Sequence, residues 1–112
     1  MQRKYDENNV FNKIIKGVIP TSKVYEDADF LAFYDIDPKA PVHILLISKK
    51  DFVSFDDFAK ESDGEYIAKF FKTAQKIAEE KKLSSYRIVA NCGAGAEQAV
   101  FHFHLHIMGY LE

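Results

Sequence analysis

The sequence predicts an α+β domain in which a mostly antiparallel sheet of five strands is covered by one long helix, with a short helix near the N-terminus. Three observations carry this. Val42–Ile47 is an apolar run rich in β-branched residues and too short for a typical helix, and Val100–Met108 alternates with the period of a strand. Between Ser62 and Lys82 the apolar residues recur at helical spacing. The elements also lack the β-α-β-α alternation that a parallel sheet requires. A chain of 112 residues with 47% hydrophobic content has the size of one domain, expected over residues 9–112 behind a loose, polar arm at residues 1–8.

Each element has a local reason. Val10/Phe11 and Ile14/Ile15 are spaced as on one helix face, and Gly17 followed by Pro20 supplies a stop, so a short helix is expected near residues 9–16. Ser22–Glu26 and Phe30–Tyr34 are expected strands, joined as a hairpin by the acidic turn Asp27-Ala28-Asp29. Two prolines and two acids make Asp35–Pro41 a loop that leads into the strand Val42–Ile47. Ser62-Asp63-Gly64-Glu65 has the pattern of a capping box, and Ile67, Phe70, Phe71, Ala74, Ile77 and Ala78 form the stripe that should pack on the sheet. The last strands are expected at Tyr86–Asn91 and Val100–Met108, separated by the small-residue loop Cys92–Ala96.

Charge and cysteine content narrow the function. Fifteen Lys and Arg against seventeen Asp and Glu give a net charge of −2, which excludes a broad basic field for nucleic acid or an anionic membrane. No apolar run reaches the ~18 residues needed to span a bilayer. The single cysteine, Cys92, cannot close an internal disulfide, which favours a reducing, cytoplasmic setting. As a nucleophile Cys92 would need a nearby histidine; inert packing is the simpler reading.

Histidine is the unusual residue. Of four in the chain, three are His102, His104 and His106. At this composition such an alternation arises by chance in about half a per cent of chains. In a strand, these three would project from one face and Phe101, Phe103, Leu105 and Ile107 from the other. His43 lies on the same side of its strand as Leu45 and Ile47, and would face the triad if strands 42–47 and 100–108 pair. Three chemistries fit the pattern: a zinc site with three facial imidazoles, nucleophilic catalysis by a neutral imidazole on phosphorus, or a structural polar ladder.

The segment Gln98-Ala99-Val100-Phe101-His102-Phe103-His104-Leu105-His106-Ile107-Met108 resembles the signature of the histidine-triad (HIT) family, His-φ-His-φ-His-φ-φ with φ apolar. Further blocks match in order: Val10–Ile15, Ile19-Pro20, Glu26-Asp27, Leu31–Phe33, Asp35-Ile36 and Ala40–His43. They are similar to the Hint branch, small purine nucleoside phosphoramidases. The resemblance implies a five-stranded antiparallel sheet, a homodimer whose sheets join into ten strands, and no metal or other cofactor. The activity it implies is cleavage of the P–N bond in nucleoside 5′-phosphoramidates through a covalent nucleotidyl-histidine. Two neighbouring activities are a nucleotide- or partner-binding module with weak turnover, and hydrolysis or transfer on dinucleoside polyphosphates.

By the same resemblance, His104 is the nucleophile, His106 bonds a phosphate oxygen or assists the leaving group, and His102 and His43 orient the nucleophile. Asp35 would accept the ribose hydroxyls and Asn91 would lie near ribose and phosphate. Val10, Phe11, Ile14, Phe33 and Ile36 would enclose the purine of an AMP- or GMP-type nucleotide. Glu97, Gln98 and Ala99 would present backbone N–H groups to the phosphate. Two positions differ from the family pattern: Ala99 stands where a serine is usual, and Glu97 where a glycine is usual.

Overall fold

The computed structural model describes residues 3–111. In chain order the elements are α1 (Val10–Ile15), β1 (Lys23–Glu26), β2 (Phe30–Tyr34), β3 (Val42–Ser48), α2 (Phe55–Glu61), α3 (Gly64–Glu80), β4 (Ser85–Val89), a 3₁₀ turn (Ala94–Ala96) and β5 (His104–Tyr110). All strand pairs are antiparallel and the sheet order is β1-β2-β3-β5-β4, so the two apolar strands named from sequence lie side by side at its centre.

Alternation along the central strands divides the interior into two clusters. Phe30 and Ala32 of β2, Ile44 and Leu46 of β3, and Leu105 and Ile107 of β5 join Phe52, Phe58, Phe70, Ala74, Ile77 and Phe103 beneath α2 and α3. Leu31, Phe33, Leu45 and Ile47 point the other way and meet only Phe11 and Ile14 of α1 among buried apolar residues. β2 and β3 are therefore apolar on both faces, which is why their sequences are continuous hydrophobic runs rather than alternating ones.

Four details differ from the sequence-based expectation. First, β5 starts at His104, not Val100. Its ladder to β3 ends at the Ile47–His104 pair, because β3 itself ends at Ser48, and residues 100–103 have no strand beside them to continue it. His102 therefore lies outside the strand. Second, α2 was not anticipated. Its start is held by Asp57, whose carboxylate accepts the N–H groups of Val53 (2.7 Å) and Ser54 (2.8 Å). Its Phe58 stacks on Phe103, rings 4.3 Å apart and 16° from parallel. Third, Ser62 ends α2 instead of capping α3; Asp63 caps α3, accepting from Tyr66 N–H at 2.8 Å. A second helix directly upstream takes the serine; on α3 itself Phe71 stands half out to solvent while Thr73 is buried. Fourth, β4 stops at Val89, leaving Asn91 in the loop.

Candidate active site

The face of the sheet that α1 covers is not closed. α1 is only six residues long, and beside it lies a cavity of about 620 Å³ bounded by the loop after β2, residues His104, His106 and Met108 of β5, and the turn before that strand. That volume is within the range of small-ligand sites. Its walls include Val10, Phe11, Ile14, Phe33, Asp35, Ile36, His43, Asn91, Glu97, Ala99, His104 and His106. Of the residues singled out from sequence, His102 and Gln98 do not line it.

The sheet register explains the convergence. His104 pairs with Ile47 and His106 with Leu45, so both imidazoles stand on the α1 side. His43 pairs with Met108, one diagonal step from His106, and the rings bridge that step with His43 Nε2 2.9 Å from His106 Nδ1. Asp35 follows directly on β2, where its N–H donates to the His43 carbonyl at 2.9 Å. One Asp35 oxygen accepts the Asp37 N–H at 2.8 Å and the other lies 3.4 Å from His43 Nε2. The edge of the Phe11 ring meets His104, centroids 4.9 Å apart and planes at 90°.

Protons on the four imidazoles can be placed, because a backbone carbonyl only accepts and a backbone N–H only donates. His104 Nδ1 is 2.7 Å from the His102 carbonyl oxygen, so Nδ1 carries the hydrogen and Nε2 keeps a free lone pair. His102 Nε2 is 2.7 Å from the Ser48 carbonyl and likewise donates. His102 Nδ1 then accepts, and its partner is the Tyr5 hydroxyl at 2.6 Å. Lys39 N–H donates to His43 Nδ1 at 2.9 Å, so His43 carries its hydrogen on Nε2 and donates it to His106 Nδ1. The remaining His106 nitrogen, Nε2, is a donor on the wall of the cavity.

Burial favours the neutral form of His102, His104 and His106. It lowers the pKa of His104 below the usual imidazole value, against the opposing backbone hydrogen bond to His102 and the charge of Asp35. It pulls His102 down to about 4. His106 is also brought to about 4, by burial first and then by the neighbouring His104 and His43. An uncharged His104 with its lone pair on Nε2 is the nucleophilic form of the residue.

The same proton assignment bears on metal binding. Asp35, His43 and His106 have ligand atoms within 4.8 Å of one another, a different trio from the one the sequence suggests. A metal ligand nitrogen must be unprotonated. His43 Nε2 carries the hydrogen because Nδ1 is occupied by the Lys39 N–H, so the cluster is wired as a hydrogen-bond relay rather than as a metal centre.

The turn before β5 is pinned from inside. Gln98 is buried, donating to the carbonyls of Val53 (2.7 Å) and Val100 (3.1 Å) and accepting the Gly93 N–H at 2.8 Å. The Asn91 amide donates to the Ala96 carbonyl at 2.9 Å. The backbone N–H groups of Glu97 and Gln98 are already used within the turn, on Ala94 and Gly93 carbonyls. Of the three residues expected to offer N–H groups to a phosphate, only Ala99 has one without a protein acceptor among the described residues. Gln98 is thus a clamp on the turn, not part of the cavity wall. Glu97 has φ +69°, the left-handed conformation that glycine adopts freely and that costs other residues about 1–2 kcal/mol. That backbone requirement accounts for the glycine usual at this position.

Sequence reasoning missed Tyr5, Ser48 and Lys39. The hydroxyl of Tyr5 and the backbone groups of the other two fix imidazole hydrogens, yet a backbone donor leaves no mark in a sequence and Tyr5 is separated from its partner by 97 positions.

The chain is similar to several known proteins. Residues 8–111 match the family model described as the scavenger mRNA decapping enzyme C-terminal binding domain. An uncharacterized 13.2 kDa HIT-like protein of Azospirillum brasilense is 43% identical over 109 residues, covering 96% of this chain and 89% of that one. A protein of Zea mays named 14 kDa zinc-binding protein is 40% identical, covering 97% and 87%. The crystal structure of a HIT family hydrolase from Legionella pneumophila Philadelphia 1 superposes with a TM-score of 0.86 at 41% identity, covering 94% and 95%. With the histidine pair on β5, the buried third imidazole and the cavity they border, these matches establish that the chain belongs to the histidine-triad family.

Proposed function

We propose that this chain is a Hint-like hydrolase that cleaves the P–N bond of purine nucleoside 5′-phosphoramidates through a nucleotidyl intermediate on His104. The observation that carries this reading is the hydrogen bond from His104 Nδ1 to the His102 carbonyl, which leaves Nε2 unprotonated on a side chain bordering the cavity. In the first step Nε2 bonds to the α-phosphorus and the P–N bond breaks, the amine leaving with one proton taken up from solvent. In the second step water displaces the imidazole from phosphorus and releases one proton, so the two steps balance. His106 Nε2–H is placed to hydrogen-bond a phosphoryl oxygen. The Asp35 carboxylate suits ribose hydroxyls, and Val10, Phe11, Ile14 and Phe33 offer an apolar slot for a base, with Ile36 almost fully exposed at its mouth. Support for the hydrolase class comes from the Legionella relative.

The test is a fluorogenic adenosine phosphoramidate: the expected products are AMP and free amine, with a transient adduct on the peptide holding His104 by mass spectrometry. Cleavage of a dinucleoside polyphosphate but not of the phosphoramidate would move the reading to P–O–P chemistry. AMP binding without any cleavage would leave a binding module.

The name of the maize relative raises zinc as a second ligand, for which Asp35, His43 and His106 supply the candidate atoms. The hydrogen on His43 Nε2 opposes it, and equilibrium dialysis against zinc is expected to show no stoichiometric site. Pairing of two chains fits the exposed edge of β4, where Tyr86 and Ile88 remain partly uncovered, and sedimentation should give a dimer. A reducing, cytoplasmic setting suits the exposed free thiol of Cys92.

A further inference from the structure

Residues 3–8 contain neither helix nor strand, yet the arm is anchored at defined points. The Arg3 guanidinium lies 3.8 Å over the Phe101 ring, Asn12 donates to the Glu7 carbonyl at 2.9 Å, and between these anchors the Tyr5 hydroxyl reaches His102 Nδ1 at 2.6 Å. His102 has no solvent exposure. With no solvent contact at the ring, its nitrogen depends on a protein partner, and an unsatisfied buried acceptor is disfavoured. Tyr5 does not line the nucleotide cavity.

What His102 holds gives this contact its importance. The backbone at 100–103 lies beyond the end of the β3–β5 ladder, so sheet hydrogen bonds do not fix the His102 carbonyl. Its position depends on the Phe103 N–H to Phe52 carbonyl bond (2.8 Å) and on the His102 ring, tied through Nε2 to Ser48 and through Nδ1 to Tyr5. That carbonyl in turn accepts the His104 Nδ1 hydrogen.

We propose that Tyr5 is a positioning residue: its hydroxyl closes the hydrogen-bonded chain Tyr5–His102–His104 and so holds the carbonyl that keeps the His104 lone pair on Nε2. The N-terminal arm is then part of the catalytic apparatus without touching substrate. This inference rests on His104 as nucleophile, and its test separates the two ideas.

In the full chain labelled with ¹⁵N-histidine, Tyr5→Phe should move the His102 Nδ1 signal to that of an unbonded ring nitrogen and leave the other rings in their tautomers except for partial mixing at His104. On adenosine phosphoramidate the same variant should lose about fivefold or more in kcat, with KM changed less than twofold, because ground-state nucleotide contacts are untouched. An unchanged His102 signal overturns the proposal, as does a kcat within twofold of wild type or a loss that falls on KM instead. Should Tyr5→Phe fail to fold, coupling across the hydrogen bond between the Tyr5 hydroxyl proton and His102 Nδ1 in the wild-type protein decides, and its absence overturns the proposal. If wild type hydrolyses no phosphoramidate, the functional reading fails while the ¹⁵N signal still decides whether Tyr5 sets the state of His102.

Discussion

The two faces of the sheet are made by the same strands, β2, β3 and β5, and have opposite properties. Under α2 and α3 the side chains close completely: Phe58, Phe70 and Phe103 form one aromatic cluster and their exposure is near zero. Under α1 the cover is one short helix, and what it leaves open is a cavity bordered by imidazoles. The sealed face supplies rigidity, and the open face spends it by holding His104 and His106 at fixed stations along β5. A long helix on both faces would have produced a better core and no site.

This contrast can be broken from either side. The largest effect is expected on the open face: His104→Ala should reduce phosphoramidate turnover about 10³-fold or more while AMP binding by calorimetry stays within a few-fold. Retained turnover would remove His104 as nucleophile. On the sealed face, Phe58→Ala should cost about 3–5 kcal/mol in denaturant unfolding, because it removes the ring stacked on Phe103 and leaves a cavity. Well below its melting temperature that variant should keep the wild-type KM.

Acid should also separate the faces, since the sealed one carries no buried histidine. The folded-state pKa of His102 is about 4 against an ordinary value of 6.5, so between these pH values the unfolded chain binds more protons than the folded one. Stability is therefore fully present above pH ~6.5 and falls as the pH drops toward about 4, by up to about 3 kcal/mol from His102 alone. His104 is shifted in the same direction, so the acid limb of kcat should lie below the usual imidazole range near 6.5. A limb above that value would show that the attacking imidazole is not buried as described. The smallest effect is expected for Asp35→Asn, which keeps the turn to Asp37 but weakens the acceptor offered to ribose: KM should rise about five- to tenfold with kcat nearly unchanged.

Much of this was legible beforehand. Period-two alternation separates His104 and His106 from Leu105 and Ile107, and that much of the pattern survives in the sheet. It fails at His102, where the partner strand has already ended, and a local pattern has no information about the length of a strand that ends 54 positions away. α2 escaped notice because its boundary signal uses Asp57 where a glutamate is more familiar, and because one phenylalanine, Phe58, carries its burial. Gln98 sits in the recognised motif, yet both polar atoms of its side chain are consumed by three hydrogen bonds within the protein, which only a three-dimensional inventory of hydrogen bonds reveals.

The sequence by itself determined the fold class, the two central strands and the cluster of histidines, because these depend on the order and spacing of apolar and polar side chains. Tertiary structure alone decided which nitrogen of each imidazole holds the hydrogen. That choice belongs to the Ser48 and His102 carbonyls, the Lys39 N–H and the Tyr5 hydroxyl. Backbone groups are the same at every position of a chain, and only folding gives one of them a histidine to orient.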